Sequence, residues 1–265
     1  MNLLSPLYQR FVSLSIQFRK NYQHAKLDDI TLLALLCWQV ELGMTNQRRF
    51  YRFLLSLGFK GLPERSRFNR VSVNALETLQ WVRFGLVHTV IPNPRYTIVD
   101  SFPMPLCHPI RNHRAKRLRS IANIGFNSTK IQWYYGLKGS FEVTNQGIAV
   151  AYTITRASIH DVNMVATLVD QYPCRQILAD AGYLSRKLKA QLAKEGINFW
   201  APKRRNMHRT GIDDHLLKRD WRQVGSIFSR WVSLFNPEKN RAHSAEGFQT
   251  RLEQCLLVDT INQIN

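Results

Sequence analysis

Acidic residues are scarce in this sequence. Its 265 residues hold 18 Asp and Glu against 37 Lys and Arg, a formal net charge of +19. Solubility alone asks for only about 2–8 charges. The excess therefore points to a polyanionic partner, with nucleic acid first and an anionic membrane second. Long apolar runs are lacking too. The longest, residues 30–40, is interrupted by Thr31 and Gln39, and a bilayer crossing needs ~20 residues. The opening Met1-Asn2-Leu3-Leu4-Ser5-Pro6 shows no basic stretch leading into an apolar one, so no secretory signal is read there. Both absences weaken the membrane reading and leave a cytoplasmic protein as the expectation. Cysteine is sparse: Cys37, Cys107, Cys174 and Cys255 are scattered with no C-x-x-C pair. That spacing argues against a zinc finger or a disulfide framework and for reduced thiols. Apolar residues are not lacking. At 45% they suffice for a folded core.

The first stretch, residues 1–90, reads as all-helical. Asp28 and Asp29 are placed to cap a helix with Ile30, Leu33, Ala34, Leu36, Cys37 and Val40 at helical spacing, ending at Gly43. Asn46 opens a second helix with Phe50, Phe53, Leu54 and Leu57 on one face. Pro63 and Glu64 open a third that is expected to run to about His88. The first two, joined by Gly43-Met44-Thr45, have the spacing of a helix-turn-helix, and Arg48, Arg49 and Arg52 on the second could reach bases or phosphates. A plain helical hairpin with a solvated basic face is the alternative. Pro92-Asn93-Pro94 marks a boundary, since two prolines disfavour helix and central strand alike.

From residue 95 to 265 the pattern is that of a second domain. A short β-branched run, Tyr96-Thr97-Ile98-Val99, ends on Asp100. Residues 131–138 and 148–155 read as strands around an Asn145-Gln146-Gly147 turn. A helix from Asp161 follows, then the strand Gln176-Ile177-Leu178-Ala179 ending on Asp180, a helix capped by Ser185, a fifth strand over 197–201, and late helices. This order predicts an α/β, ribonuclease-H-like mixed five-stranded sheet flanked by helices. Apolar strands that run into aspartates carry a desolvation cost unless a cation binds there. Carboxylates on neighbouring strands would hold Mg²⁺ for phosphoryl transfer. Between the first two strands, residues 101–130 read as an irregular stretch. It contains Arg111, Arg114, Lys116, Arg117, Arg119 and Lys130 and no acid, fit to clamp a nucleic-acid backbone or else simply solvated. Lys203-Arg204-Arg205 forms a second basic cluster after the fifth strand. His108 and His113 are read as ordinary loop residues.

Several stretches resemble the insertion-sequence 982 family of transposases in family order. They are Cys37-Trp38-Gln39, Leu62-Pro63-Glu64-Arg65-Ser66-Arg67-Phe68-Asn69-Arg70, and Asp100-Ser101-Phe102-Pro103-Met104-Pro105-Leu106-Cys107. Tyr134-Tyr135-Gly136-Leu137-Lys138, Ala157-Ser158-Ile159-His160-Asp161 and Asp180-Ala181-Gly182-Tyr183-Leu184-Ser185 follow. The last is Gly247-Phe248-Gln249-Thr250-Arg251-Leu252-Glu253-Gln254-Cys255-Leu256. The resemblance implies a bacterial, nucleoid-associated DDE transposase with a ribonuclease-H-like fold. Its implied cofactor is Mg²⁺, with Mn²⁺ as a substitute. Its implied partners are double-stranded DNA, at the element ends and the target, and further copies of the chain on that DNA. Asp100 and Asp180 fall on the family's two metal-binding aspartates, with His160, Asp161 and Tyr183 in support. Arg48, Arg49, Arg52, Arg111, Arg114, Arg117, Lys138, Lys203, Arg204 and Arg205 are the expected DNA contacts.

Two departures stand out. The family has a histidine two residues after the motif lysine, where this chain has Ser140. Its third acid is a glutamate in a pattern like Arg-x-Ile-Glu-x-x-Phe-Ser, and here Arg222-Gln223-Val224-Gly225-Ser226-Ile227-Phe228-Ser229 puts Gly225 in that place. One turn either way, the same helical face offers only Trp221, Arg222, Phe228 and Ser229. A strand-transferring enzyme impaired in this copy and an inactive, transposase-derived DNA-binding protein are therefore both open. A nuclease of another kind shares the carboxylates but not the N-terminal motifs.

Overall fold

The computed structural model describes residues 11, 26–203, 213–236 and 239–264. These residues fall into two compact units, Met1–His88 with Trp231–Asn265, and Thr89–Arg230. The division differs from the expected one at the C-terminus, because residues 231–265 group with the N-terminal helices rather than with the sheet.

The first unit holds helices α1 (Asp29–Glu41), α2 (Gln47–Ser56), α3 (Arg65–Asn74) and α4 (Leu76–Val90), the last of which runs just past the unit's edge. Asp28 caps α1 by accepting from the Thr31 N–H at 2.8 Å, and Gly43, at φ +63°, turns the chain out of it. Asn46 caps α2 through the Arg49 N–H at 3.0 Å. The single helix expected to His88 is two helices, broken at Ala75. The run Val71-Ser72-Val73-Asn74 explains the break. It is poor in helix formers, and the Ser72 hydroxyl donates to the Phe68 carbonyl at 2.7 Å. Nearly all of α1 is buried, because it lies against the long C-terminal helix Ala245–Ile264. A fully buried ion pair, Arg83 Nε to Glu253 Oε1 at 2.5 Å, joins that helix to α4.

The second unit is built on a six-stranded mixed sheet. Its strands are β1 (Thr97–Pro105), β2 (Asn123–Asn127), β3 (Gln132–Thr144), β4 (Ala149–Arg156), β5 (Gln176–Ala179) and β6 (Asn198–Trp200). β3 pairs antiparallel with β1 on one side and with β4 on the other, while β5 pairs parallel with β1 and β6 parallel with β5. That order, β4-β3-β1-β5-β6, is ribonuclease-H-like. The sixth strand, β2, pairs with the first residues of β3 and lies in the stretch read from sequence as irregular. Glycine makes room for it: a Cβ at Gly125 would collide with the Ala157 carbonyl. Helices Val165–Gln171 (α5), Arg186–Lys194 (α6), Asp213–Trp221 (α7) and Gln223–Phe235 (α8) accompany the sheet, and Ala245–Ile264 is α9. Among the described residues no helix is long and apolar enough to cross a membrane.

One core residue gives the unit a pH dependence. Glu142 on β3 is fully buried, and among the described residues only the Thr97 hydroxyl, at 2.6 Å, bonds its Oε1. Burial pushes its carboxyl up to about 8, against the pull of Thr97. The folded state therefore holds this proton where the unfolded chain releases it. Stability is full below the ordinary carboxylate range and falls as pH rises towards about 8. Asp100, raised to about 7, acts in the same sense. Glu142→Gln is expected to melt several degrees above the parent at pH 8.5 in chelator, with the gap closing near pH 5. Parallel pH–Tm curves for the two proteins would show that Glu142 does not carry the effect.

Candidate active site

The parallel pairing of β1 with β5 ends at the rung Val99–Ala179. The next residue on each strand is an aspartate, so Asp100 and Asp180 emerge side by side on the same face. β5 stops there, but β1 runs on beside β3 to Pro105. Asp100 thus sits inside its strand, not at its end as expected from the sequence, and it is at the end only of the parallel segment. Backbone donors fix both carboxylates: Ser101 N–H to Asp100 Oδ1 at 2.8 Å, and Ala181 N–H to Asp180 Oδ1 at 2.5 Å. Burial pushes Asp100 up to about 7; the Ser101 N–H opposes the rise, and the charges of Asp180 and Asp161 add to it. Among the described residues neither Asp100 nor Asp180 is ion-paired. Two oxygen donors under mutual repulsion suit a hard divalent cation, which would relieve both burial and repulsion. Among the described residues no three His, Cys, Asp or Glu side chains form a metal-binding group, so these two carboxylates stand as a pair.

A polar chain flanks the pair. Ser101 Oγ donates to Asp161 Oδ1 at 2.9 Å. Lys138 Nζ lies 3.0 Å from the same oxygen and donates to the Ile159 carbonyl at 2.8 Å. Lys138, expected at DNA, is instead engaged inside the fold. The motif Tyr134-Tyr135-Gly136-Leu137-Lys138 has a local reason as well: a Cβ at Gly136 would collide with the Met104 carbonyl, so glycine lets β3 approach β1 ahead of the lysine. Tyr183 is 2% exposed. Burial raises its phenol well above the usual range, and Asp100, Asp161 and Asp180 raise it further. His160 is exposed and makes no side-chain cap bond at the turn it precedes.

Helix α8 covers the face that carries the aspartates. Val224 packs with Tyr96, Ile98 and Leu178. Phe228 meets Phe102 and Phe141 edge-on, with ring centroids 5.0 and 5.9 Å away. Ile98, Asp100 and Phe102 alternate onto one face of β1, so the Val224–Phe228 turn spans the level of Asp100. Gly225 lies in that turn, exposed, and a Cβ built on it meets nothing within 4 Å. A side chain there has room. Asp220, near the end of α7, is turned to Arg219, 3.2 Å away.

The remaining expected residues are spread out. Arg111 and Arg114 are exposed on a 3₁₀ turn, Pro109–Arg114, and Arg117 is half-buried. Asn112 anchors that turn: it is 7% exposed, donates to the Trp133 carbonyl and accepts from the Tyr135 N–H, each at 3.0 Å. Nothing in the local sequence marks Asn112, since its partners are on β3. Lys203 is exposed just past β6, and Arg204 and Arg205 lie outside the described residues. Ser140 is fully buried opposite Ser101, with no hydrogen-bond partner for its hydroxyl among the described residues. Arg48, Arg49 and Arg52 are exposed on α2.

No curated protein matches the chain. Among solved structures, a cryo-EM structure of the piggyBac transposase synaptic complex with hairpin DNA is similar at 13% identity and a TM-score of 0.37, over 80% of this chain and 50% of that one. The chain thus spans about half the length of that structure. A family model, the transposase DDE domain, matches residues 93–244, the sheet and its late helices. With more than half of its length matched by that model, the chain belongs to the DDE transposase family.

Proposed function

We propose that this chain is a bacterial insertion-sequence transposase of the 982 type. It binds the element's terminal inverted repeats as duplex DNA, assembles with further copies there, and cuts and joins strands with Mg²⁺ as cofactor. The observation that carries this reading is the pair Asp100 and Asp180, side by side at the end of the β1–β5 parallel segment and unpaired by any described cation. Asp100 and Asp180 would hold the ion, which when bound supplies Lewis-acid charge to the attacking and leaving oxygens. The Ser101 and Ala181 N–H groups hold the two carboxylates in register. Lys138 and Asp161 position Ser101 and so, through its N–H, Asp100. Arg111, Arg114 and Lys203 would meet phosphates. Arg49 and Arg52 supply sequence preference.

Gly225 favours a second reading, a copy that binds element ends with little chemistry. Strand cleavage of end DNA, in the parent and in Gly225→Glu, separates the two. Metal-dependent cleavage that Asp180→Asn removes supports the enzyme; cleavage untouched by Asp180→Asn would sink the assignment. In the cleaving protein, Asp161→Asn is expected to lower the rate by about 10–100-fold at unchanged DNA affinity, as loss of an outer partner does. A proportional fall in DNA affinity would instead mean that Asp161 serves binding.

A further inference from the structure

Three of the family-like stretches lie wholly or largely outside the catalytic machinery: the one at Gln39, the one at Arg65 to Arg70, and the one at Gly247 to Leu256. All three meet at one cavity of the first unit, of about 890 Å³. That is within the ~300–1,000 Å³ of ligand clefts. Arg48, Arg65, Arg241 and Arg251 line it, with Gln39 and Asn69, and among the described residues no Asp or Glu does. We propose that this cavity binds the phosphates of duplex DNA without reading its bases, which rests on the DNA-binding part of the function proposed above.

Several independent features converge there. The N-termini of α2, α3 and α9 all border the cavity; Glu64 caps α3 and Glu246 lies in the first turn of α9, so α2 is the one that adds an unopposed positive end of a helix dipole. α2 starts on Gln47-Arg48-Arg49 with no acid in its first turn. Arginines at a helix N-terminus oppose the dipole, and an anion at that point reverses the sign of the local interaction. Inside the cavity Arg251 keeps one guanidinium nitrogen, Nη1, on Gln254 Oε1 at 3.3 Å. Its other terminal nitrogen, Nη2, is buried with no hydrogen-bond partner among the described residues. That nitrogen is closed to solvent, so the donors offered to a phosphate are those of the exposed arginines Arg48, Arg65 and Arg241. The guanidinium fork suits phosphate better than an ammonium would. Arg48 thereby takes a phosphate-holding role, while Arg49 and Arg52, which do not line the cavity, remain for base contacts.

The test uses the full chain and two fluorescent duplexes, one with element-end sequence and one random. Arg48→Gln, Arg65→Gln and Arg241→Gln change exposed side chains, so the fold should persist, as circular dichroism would check. Each is expected to weaken both duplexes equally and to flatten the log–log salt slope by about one. The lysine variants at the same positions should keep the slope. A parent protein that binds neither duplex overturns the DNA reading, and this site with it. Tight, salt-dependent binding that is unchanged in the triple glutamine variant overturns the site alone. So does a loss confined to the element-end duplex, which would make these arginines base readers. Capture of polyglutamate through the same arginines, with DNA binding unaffected, would assign the cavity to an acidic protein and also overturn it.

Discussion

Raising the salt from 50 to 200 mM is expected to weaken duplex binding by about 10³-fold or more. The expectation starts from the excess of 19 positive charges. Charge alone does not fix the slope, because only cations that displace counterions from phosphates contribute to it. Lys138 is therefore not counted, since Asp161 already neutralises it. Arg219 is partly offset by Asp220. What remains is well placed for phosphates. Arg48, Arg65, Arg241 and Arg251 gather at one cavity, and Arg111 and Arg114 stand exposed on their 3₁₀ turn. Six such groups match the roughly six contacts that produce a loss of this size. Fluorescence anisotropy across a salt series measures the slope directly. A shallow slope would mean that the charge excess is a solvated surface and that binding, if any, is driven by apolar or base contacts.

The parts of this molecule that depend on near neighbours in sequence were readable in advance. Val99 and Ala179 belong to short β-branched or apolar runs, so their strands and the two aspartates after them stood out. Asn145-Gln146-Gly147 forces its turn because Gly147 takes φ +83°. What escaped depends on partners far along the chain. β2 is five residues long with a glycine at its centre, and only its pairing with β3 makes it a strand. The link from Lys138 through Asp161 to Ser101 joins three segments, each unremarkable alone. The grouping of the C-terminal helix with α1 follows from which apolar faces match, and periodicity shows that a face exists but not what covers it. The cavity at Arg251 required both ends of the chain at once.

Gly225→Glu is expected to raise end-DNA cleavage by on the order of a thousandfold. Asp100 and Asp180 supply two carboxylates, enough for one Mg²⁺, which keeps several of its waters. A second ion needs a further ligand, and α8 is the element that crosses above the pair. Val224 and Phe228 pin this helix to Ile98, Phe102 and Phe141, on either side of Asp100. Gly225 sits between these two anchors, and nothing lies within 4 Å of a Cβ placed there, so a glutamate enters without displacing the helix. The gain from Lewis-acid charge on the leaving oxygen is several kcal/mol of barrier, and ~1.4 kcal/mol is a factor of ten. Replacing glycine also favours the helix, by up to ~1 kcal/mol. Gly225→Ala separates the two contributions, because it should firm the helix without raising the rate. Gly225→Gln tests the charge, since it fills the same space and should stay near the parent. Asp100→Asn, added to Gly225→Glu, should return cleavage to background. A parent protein that already cuts at the rate of Gly225→Glu would place the third acid elsewhere. Asp161 is then the first residue to test, because its charge already reaches Asp100.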